Sequence, residues 1–296
     1  MTVARATLLC FAVVISITNR LLAADLGCAI PVPHLWPRVA NVVKVPYVMV
    51  GLDTNETAQV LKAVLEWEDT GVVDFVLIAP PARHDCAYLE IRQFFPPPRQ
   101  DDCVCEANTR AGYLGKGQGT HRVAIAGCFP KQTGCINKPL PPAQQTAWGG
   151  IAHELGHVLG LNHEHQRYDR DGFVKLEPPP KGHTVVAGSG AFTNFINRTC
   201  FEEQRLYNYL SIMHYPLVIN AYPVQNWWKP PLPEQVARSL RVFSVRSDFK
   251  TQHPSAQESD IGDRVIHGVT SHDGAAVSLL YRIGNVTIAK ESDLCQ

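Results

Sequence analysis

The sequence lacks any block of like charge, and this absence restricts the possible partners. Its 296 residues include 27 basic and 27 acidic side chains, so the formal net charge is zero. No run of Lys and Arg offers the concentrated positive charge that binds nucleic acids or anionic membranes. The sequence therefore predicts neither a nucleic-acid partner nor a membrane partner.

Long apolar runs are also missing, except at the N-terminus. Ala6–Thr18 is apolar, follows Arg5 and ends before Asn19 and Arg20. This is the length of a signal-peptide core and is short for a membrane span. Residues 1–24 are predicted to be a signal peptide, with an N-terminal anchor as the alternative, and the protein is predicted to be secreted.

Internal repeats and long low-complexity stretches are absent as well. The proline clusters at 96–98, 140–142, 178–180 and 230–233 are typical of loops, because no low-complexity linker accompanies them. About 270 residues after the predicted signal peptide are enough for one domain with a large core. We therefore expect a single domain.

Cysteine, by contrast, is plentiful. One of the nine cysteines, Cys10, belongs to the predicted signal peptide, and an even number remains: Cys28, Cys86, Cys103, Cys105, Cys128, Cys135, Cys200 and Cys295. An even number in an exported chain predicts disulfides but does not fix their pairing. The sequons at Asn55, Asn197 and Asn285 predict a glycoprotein.

The chemistry concentrates in residues 153–171, HELGHVLGLNHEHQRYDRD. His153 and His157 are four residues apart and share one face of a helix, so both imidazoles can reach one metal ion. Glu154 can contact a metal-bound water, and Gly160 can end the helix in a left-handed turn that brings His163 back. Three neutral nitrogens and a water form the open coordination of a catalytic zinc, one per chain.

A second motif lies about fifty residues downstream, where Ser211-Ile212-Met213-His214-Tyr215 predicts a tight turn carrying a methionine. After a third zinc histidine, a methionine turn that passes beneath the metal is expected. His165 and His214 are predicted to be packing or hydrogen-bonding histidines, because three other histidines already complete the site.

Two motifs resemble those of the astacin family of metzincin zinc metalloproteases. They are HExxHxxGxxHExxRxDRD and, downstream of it, SxMHY. Weaker matches extend the similarity over about 34–281, from Leu35-Trp36 to Asp273 and Leu280-Tyr281. The shared motif positions are His153, Glu154, His157, Gly160, His163, Glu164, Arg167, Asp169, Arg170, Asp171, Ser211, Met213, His214 and Tyr215.

The resemblance implies an α+β metzincin fold, with a twisted mixed sheet and the zinc helix in an N-terminal lobe. A mostly irregular C-terminal lobe with one late helix would follow. Residues 25–296 would form one astacin-like catalytic domain, with lobes at about 25–163 and 164–296 and the zinc between them.

The resemblance also implies one disulfide from the region before the substrate-binding edge strand to the loop before the zinc helix. Cys103 or Cys105 would pair there with Cys128 or Cys135. Gly71 occupies a cysteine position of the family's other bridge, so that bridge is expected to be absent. Cys295 then needs another partner, for which Cys28 is the candidate.

Hydrophobic patterns predict the remaining elements. Thr57–Glu68 should be an amphipathic helix that buries Val60, Leu61, Val64 and Leu65 on one stripe. Helices are also expected at about 143–160 and 270–281. Strands are expected at Val42–Val50, Val72–Ile78, Ala87–Ile91, Tyr113-Leu114 and Val123–Ala126. The Tyr113–Val123 spacing resembles the family's edge strand and its partner.

The implied activity is that of a secreted zinc endopeptidase acting on protein or peptide substrates. His153, His157 and His163 would bind zinc, Glu154 would be the general base, and Tyr215 would resemble the family's oxyanion-stabilising tyrosine. Glu164 would contact the mature N-terminus, and Arg167, Asp169, Arg170 and Asp171 would form a structural charge network. The alternative is a zinc-retaining but non-catalytic binding or toxin-like protein on the same fold.

Overall fold

The computed structural model describes fourteen segments of the chain. They are residues 34–79, 86–96, 105–108, 121–129, 147–167, 169–177, 183–185, 207–215, 217–223, 238–241, 243–246, 249–262, 267–282 and 287–295. The predicted signal peptide, Tyr113-Leu114, Cys28, Cys103, Cys135, Asn197 and Asn285 lie outside these segments.

Six strands of the first half form one mixed sheet. They are β2 (Arg38–Val39), β3 (Val42–Val50), β4 (Val73–Leu77), β5 (Leu89–Arg92), β6 (Glu106–Ala107) and β7 (His121–Ala124). The order is β2-β3-β5-β7-β6, and β4 also pairs with β3. The β3–β4, β3–β5 and β5–β7 pairs are parallel, whereas β6 runs antiparallel to β7. The predicted strands at 42–50 and 72–78 are thus confirmed, the second one residue shorter at each end.

Strand β7 corrects the bounds of one predicted strand. It ends at Ala124, and Ala126–Cys128 forms a 3-10 turn, so the strand predicted at Val123–Ala126 lies two residues earlier in the chain. Val123 has Ile91 on one side and Ala107 on the other. The strand expected at Tyr113-Leu114 lies outside the described residues and stays a prediction. Within the described residues β6 is the antiparallel strand at this edge.

Helix α1 (Thr54–Glu68) begins with a capping box, in which Asp53 accepts from the Glu56 N–H and Glu56 accepts from the Asp53 N–H. Its apolar face differs from the predicted stripe. Val60 and Val64 are buried, but Leu61 is 39% exposed and Leu65 is 56% exposed. The buried face instead includes Ala63 and Trp67.

In the described part of the second half, short strands combine with two helices that follow α2. The strands are β8 (Val174–Leu176), β9 (His183–Val185), β10 (Val218–Pro223), β11 (Arg238–Arg241) and β12 (Phe243–Val245). After α2 (Ala147–Val158) come α3 (Phe249–Gln252) and α4 (Ser271–Arg282), and α4 confirms the late helix. Strand β1 (His34–Leu35) pairs with β13 (Thr287–Ile288), which joins the two ends of the described chain. The strands β8 to β12 were not predicted.

Two hydrophobic clusters form the core. The larger cluster contains the inner face of the sheet, α1, α2 and the buried face of α4. The smaller cluster gathers around Tyr207, Tyr209, Phe243 and Phe249. Helix α4 comes from the predicted C-terminal lobe, yet Val277 and Leu280 pack in the larger cluster with α2.

Two disulfides join described cysteines. Cys105 bonds to Cys128, which lies within the pairing that the resemblance implied. Cys86 bonds to Cys295, so the candidate pairing of Cys295 with Cys28 is wrong. The backbone brings Cys86 and Cys295 together, because the Ala87 N–H bonds to the Asp293 carbonyl and the Cys295 N–H bonds to the Ala87 carbonyl. Among the described residues, no helix has both the length and the hydropathy that a membrane span requires.

Candidate metal centre

Helix α2 carries two of the three motif histidines and is held by two buried tryptophans. Trp36 donates its indole N–H to the Val158 carbonyl at 2.9 Å, and Trp67 donates to the Ala152 carbonyl at 2.8 Å. Both bonds are buried, where a hydrogen bond left unmade is costly. They fix the rotation of α2 and therefore the direction in which His153 and His157 point.

The three motif histidines converge on one point. Gly160, after the end of α2, has a φ of +100°, as predicted for the residue that turns the chain. His163 then returns to the helix, with its Nε2 at 3.1 Å from Nε2 of His153 and at 3.2 Å from Nε2 of His157. The ligand atoms of these three histidines all lie within 4.8 Å of one another.

Hydrogen bonds at the opposite ring nitrogens determine the tautomers. Nδ1 of His153 lies 2.8 Å from the Ile212 carbonyl, and Nδ1 of His157 lies 2.8 Å from the Leu161 carbonyl. A carbonyl oxygen only accepts, so each Nδ1 carries the proton and each Nε2 presents a lone pair. Nδ1 of His163 makes the equivalent bond, at 2.8 Å, to the side-chain oxygen of Gln166.

This arrangement fits a zinc ion. Tetrahedral zinc with Zn–N bonds of about 2.0–2.1 Å separates two ligand nitrogens by about 3.3 Å, close to the two distances observed here. A bond from the second ring nitrogen to an oxygen is the usual support of a zinc-bound histidine. Three facing lone pairs repel one another unless a cation lies between them, so the donor set itself calls for a metal.

The methionine turn supports the site from below. The Glu164 N–H, next to His163, donates to the Met213 carbonyl at 3.0 Å. Met213 is 1% exposed, and its sulfur packs against the backbone of Gly156 in α2. The turn that the sequence predicted therefore contacts both the helix and the third histidine, and its Ile212 carbonyl orients His153.

Tyr215 follows this turn and faces the histidines. Its ring centroid lies 4.6 Å from that of His163 and 4.2 Å from that of His165. Its backbone is held at both ends, because the Tyr215 N–H donates to Nδ1 of His165 and Nδ1 of His214 donates to the Tyr215 carbonyl. His165 and His214 are thus buried hydrogen-bonding histidines, as predicted.

Burial lowers the pKa of His214 to about 4, so its ring is neutral at physiological pH. Since Nδ1 carries the proton, Nε2 accepts the hydroxyl of Tyr207 at 2.7 Å. Burial raises the pKa of Tyr207 well above its usual value, which keeps the hydroxyl protonated as the donor. Tyr207, His214 and the Tyr215 carbonyl form one buried chain of hydrogen bonds.

The acidic and basic residues after His163 form a charge network. Arg167 is buried and binds Asp169 through two bonds of 2.8 and 2.7 Å, and it also donates to Glu164 at 3.1 Å. Glu164 in turn accepts the Asn208 N–H at 2.8 Å, which ties the network to the methionine turn. These contacts agree with a structural role for the segment.

Asp273 supports the methionine turn, although the sequence indicated it only as a match to the family. It accepts from the Ser211 hydroxyl and from the Ile212 N–H, so it binds the methionine turn to α4. Burial raises its pKa, while hydrogen bonds from Ser211 and Thr270 act in the opposite direction. The signal available in the sequence was Thr270-x-x-Asp273, a spacing that resembles a capping box.

Gln166 and Ala107 are two further groups that the motif did not indicate. Gln166 orients His163, and the Ala107 N–H donates to Glu154 Oε2 at 2.8 Å. Gln166 lies three residues after His163, in the 3-10 turn Glu164–Gln166, and that turn was not predicted. No sequence signal links Ala107 to Glu154, because the contact spans 47 residues.

Comparisons with known proteins agree with this geometry. A family model of Astacin (Peptidase family M12A) matches residues 143–224. The low choriolytic enzyme of Oryzias latipes is 30% identical over 183 residues, which is 61% of this chain and 53% of that protein. Nematocyst expressed protein 6 of Nematostella vectensis is 28% identical over 71% of this chain and 59% of its own length. The chain thus spans about half the length of the curated relatives it matches.

A solved structure shares the fold. High choriolytic enzyme 1, a hatching enzyme zinc-protease from Oryzias latipes, superposes with a TM-score of 0.51 over 83% of this chain and 94% of its own, at 20% identity. The superposition shows that the chain shares the α+β fold of this enzyme, and the three converging histidines are compatible with a zinc site. The chain is thus similar to the astacin family over residues 143–224, which the family model matches.

The first prediction concerns Gln166, the one side chain among the three oxygens that orient the histidines. Gln166→Ala should weaken zinc binding by about 10–100-fold, because His163 loses the acceptor that fixes its ring. Gln166→Glu keeps an acceptor oxygen and should restore most of the affinity. Competition with a chromophoric chelator measures both dissociation constants. Equal affinity in the parent and in Gln166→Ala would contradict the assignment.

The second prediction concerns Gly156. Alanine in place of a helix-interior glycine normally stabilises a helix by about 1 kcal/mol. Here the new Cβ would overlap the Met213 sulfur and lie 3.1 Å from the Trp67 ring. Gly156→Ala should therefore destabilise the fold by about 1–3 kcal/mol, as overpacking does. Gly172→Ala, whose Cβ would meet no atom within 4 Å, is the control in thermal unfolding. A Gly156→Ala variant more stable than the parent would show that Met213 moves to make room for the new Cβ.

Proposed function

We propose that the protein is a secreted zinc-dependent endopeptidase whose single catalytic domain spans residues 25–296. The observation that carries the proposal is the convergence of three unprotonated imidazole nitrogens, with the buried Glu154 next to His153 in α2. Three neutral protein ligands leave a coordination position open, whereas structural zinc sites are closed by four. We assign His153, His157 and His163 as the ligands.

Zinc bound at this site would lower the pKa of a coordinated water and polarise a substrate carbonyl. Glu154 follows His153 on α2 and is 6% exposed, so its carboxylate is shielded from bulk water. It is placed to accept the proton of the attacking water and to return it to the leaving amine. This is the role of the general base and acid.

Tyr215 is proposed to stabilise the oxyanion that develops on the scissile carbonyl. The ring lies next to His163 and His165, and both its main-chain N–H and its carbonyl are bound by buried histidines. A phenol on a fixed backbone loses little freedom when it donates to a developing charge. We assign structural roles to Met213, which packs against α2, and to Glu164, whose N–H holds the turn at His163 against the Met213 carbonyl.

The proposed substrate is a protein or peptide bound in extended form. Strand β6 lies at the edge of the sheet next to the zinc helix, and its contact with Glu154 places that edge beside the proposed base. An extended peptide can add to such an edge through main-chain groups other than the Ala107 N–H, which already donates to Glu154. The peptide's side chains would then be directed to either side. No described feature selects a particular residue at the cleavage site.

Secretion is supported by the two disulfides, since such bonds persist in oxidising compartments. It also rests on the predicted signal peptide at residues 1–24. The alternative, a zinc-retaining protein without catalysis, differs from the endopeptidase in whether Glu154 is needed for function. It would gain nothing from an intact Glu154, so the variants below separate the two functions.

The third prediction tests the function directly. The purified protein should contain one zinc per chain and cleave a peptide library, and a chelator should abolish the cleavage. Glu154→Ala should keep its zinc but lose about 10²–10⁴-fold in turnover, because the ligands remain while the proton acceptor is gone. Elemental analysis and cleavage assays give the two values. A zinc-loaded parent without peptidase activity would instead support the non-catalytic binding protein.

The fourth prediction concerns Tyr215. Tyr215→Phe should lower kcat by about 10²–10³-fold with little change in KM, because the lost donor acts mainly in the transition state. The ring remains, so packing against His165 is retained and zinc content should change little. A raised KM at normal kcat would place Tyr215 in substrate binding, and loss of zinc would make it a ligand.

A further inference from the structure

The backbone N–H of Ala107 points away from its own sheet. The next residue, Asn108, donates its N–H to the Arg122 carbonyl of β7 at 2.9 Å. Since successive N–H groups of a strand point to opposite sides, the Ala107 N–H faces outward from the edge. Such outward donors of an edge strand are the groups that a further strand would use.

That outward N–H is bonded to the catalytic glutamate. It donates to Oε2 of Glu154 at 2.8 Å, and the bond is buried. A bond to an ionised acceptor is shorter and stronger than one between neutral groups. The carboxylate has one rotatable torsion more than an aspartate, so a fixed donor at one oxygen restricts where the other oxygen can lie.

A second contact keeps this donor in place. Gly150 lies one helical turn before Glu154 and on the same face of α2. A Cβ at Gly150 would be 3.1 Å from Sγ of Cys105 and 3.5 Å from Sγ of Cys128. The Cys105–Cys128 disulfide therefore packs against Gly150. Cys105 lies two residues before Ala107, immediately before β6. The strand is attached to the helix at two points, through the disulfide and through the N–H bond.

From this geometry we propose that the main-chain N–H of Ala107 is a positioning group for the general base. It holds the Glu154 carboxylate in the orientation in which it meets the attacking water. The disulfide against Gly150 fixes the distance between strand and helix. The inference rests on the proposed function of Glu154 and extends it to the edge strand.

Proline at position 107 removes this donor. Because the Ala107 N–H does not bond to β7, Ala107→Pro should leave the β6–β7 ladder intact, as proline is tolerated on the outer edge of a sheet. We expect kcat to fall by about 10–100-fold, the loss of one bond to a charged group, with KM changed less than about threefold. Zinc content should equal that of the parent. Ala107→Gly retains the N–H and should lose at least tenfold less kcat than Ala107→Pro.

Leu77→Pro is a matched control for proline in an edge strand. Leu77 is exposed in β4, and its N–H faces away from β3, because the N–H of Ile78 bonds to Tyr47. This variant should keep parental kcat. Equal kcat in Ala107→Pro and the parent would overturn the proposal, as would a loss of zinc or a KM effect that accounts for the whole change.

Amide exchange tests the same bond without catalysis and remains decisive if Ala107→Pro does not fold. In protein labelled with ¹⁵N-alanine, the Ala107 resonance is identified by its disappearance in Ala107→Gly. Its exchange should be at least tenfold faster in Glu154→Ala than in the parent, while Ala124, interior to the sheet, should be unchanged. Equal exchange of Ala107 in both proteins would overturn the proposal. A parent without peptidase activity but with protected Ala107 would refute the function and not the contact.

Discussion

Three unprotonated imidazole nitrogens face one another, with Nε2 of His163 at 3.1 Å from Nε2 of His153 and at 3.2 Å from Nε2 of His157. The surrounding hydrogen bonds hold the three rings in this arrangement. Each ring is locked by donation from its other nitrogen, which forces the lone pairs of Nε2 inward. Without a cation this arrangement is repulsive. Metal binding and local folding are therefore linked. Part of the free energy of metal binding stabilises the turn after Gly160 in its place against α2.

The segment 207–215 joins the two hydrophobic clusters. Tyr207 and Tyr209 belong to the smaller cluster, while Ile212 and Met213 belong to the larger one. The same segment supplies the carbonyl that orients His153 and the backbone that carries Tyr215. Asp273 fastens it to α4, at the cost of burying a carboxyl group whose hydrogen bonds offset its desolvation. A disturbance of either cluster is thus transmitted to the site through this segment.

The sequence predicted the parts of the site that depend on local spacing. His153, Glu154 and His157 follow from helical periodicity, and His163 follows from the turn at Gly160. Strand Val42–Val50 and the late helix follow from local hydrophobic patterns. What could not be predicted depends on partners far away in the chain. Leu61 and Leu65 are apolar and correctly spaced, but Trp67 bonds to Ala152 and turns the other face inward. The Cys86–Cys295 bridge spans 209 residues, and no local pattern encodes it.

Main-chain groups bind three of the four side chains at the site, and a side chain binds the fourth. Substitutions therefore affect the four side chains differently. His153 and His157 are oriented by carbonyl oxygens, and Glu154 is bound by a backbone N–H. Provided that the backbone keeps its path, these groups remain with any side chain at positions 212, 161 and 107 except proline at 107, which has no N–H to donate. His163 differs, because its acceptor is the side chain of Gln166. Apart from proline at 107, substitution of a supporting side chain can therefore reorient His163 alone. The orientations of His153, His157 and Glu154 change only when the backbone itself moves.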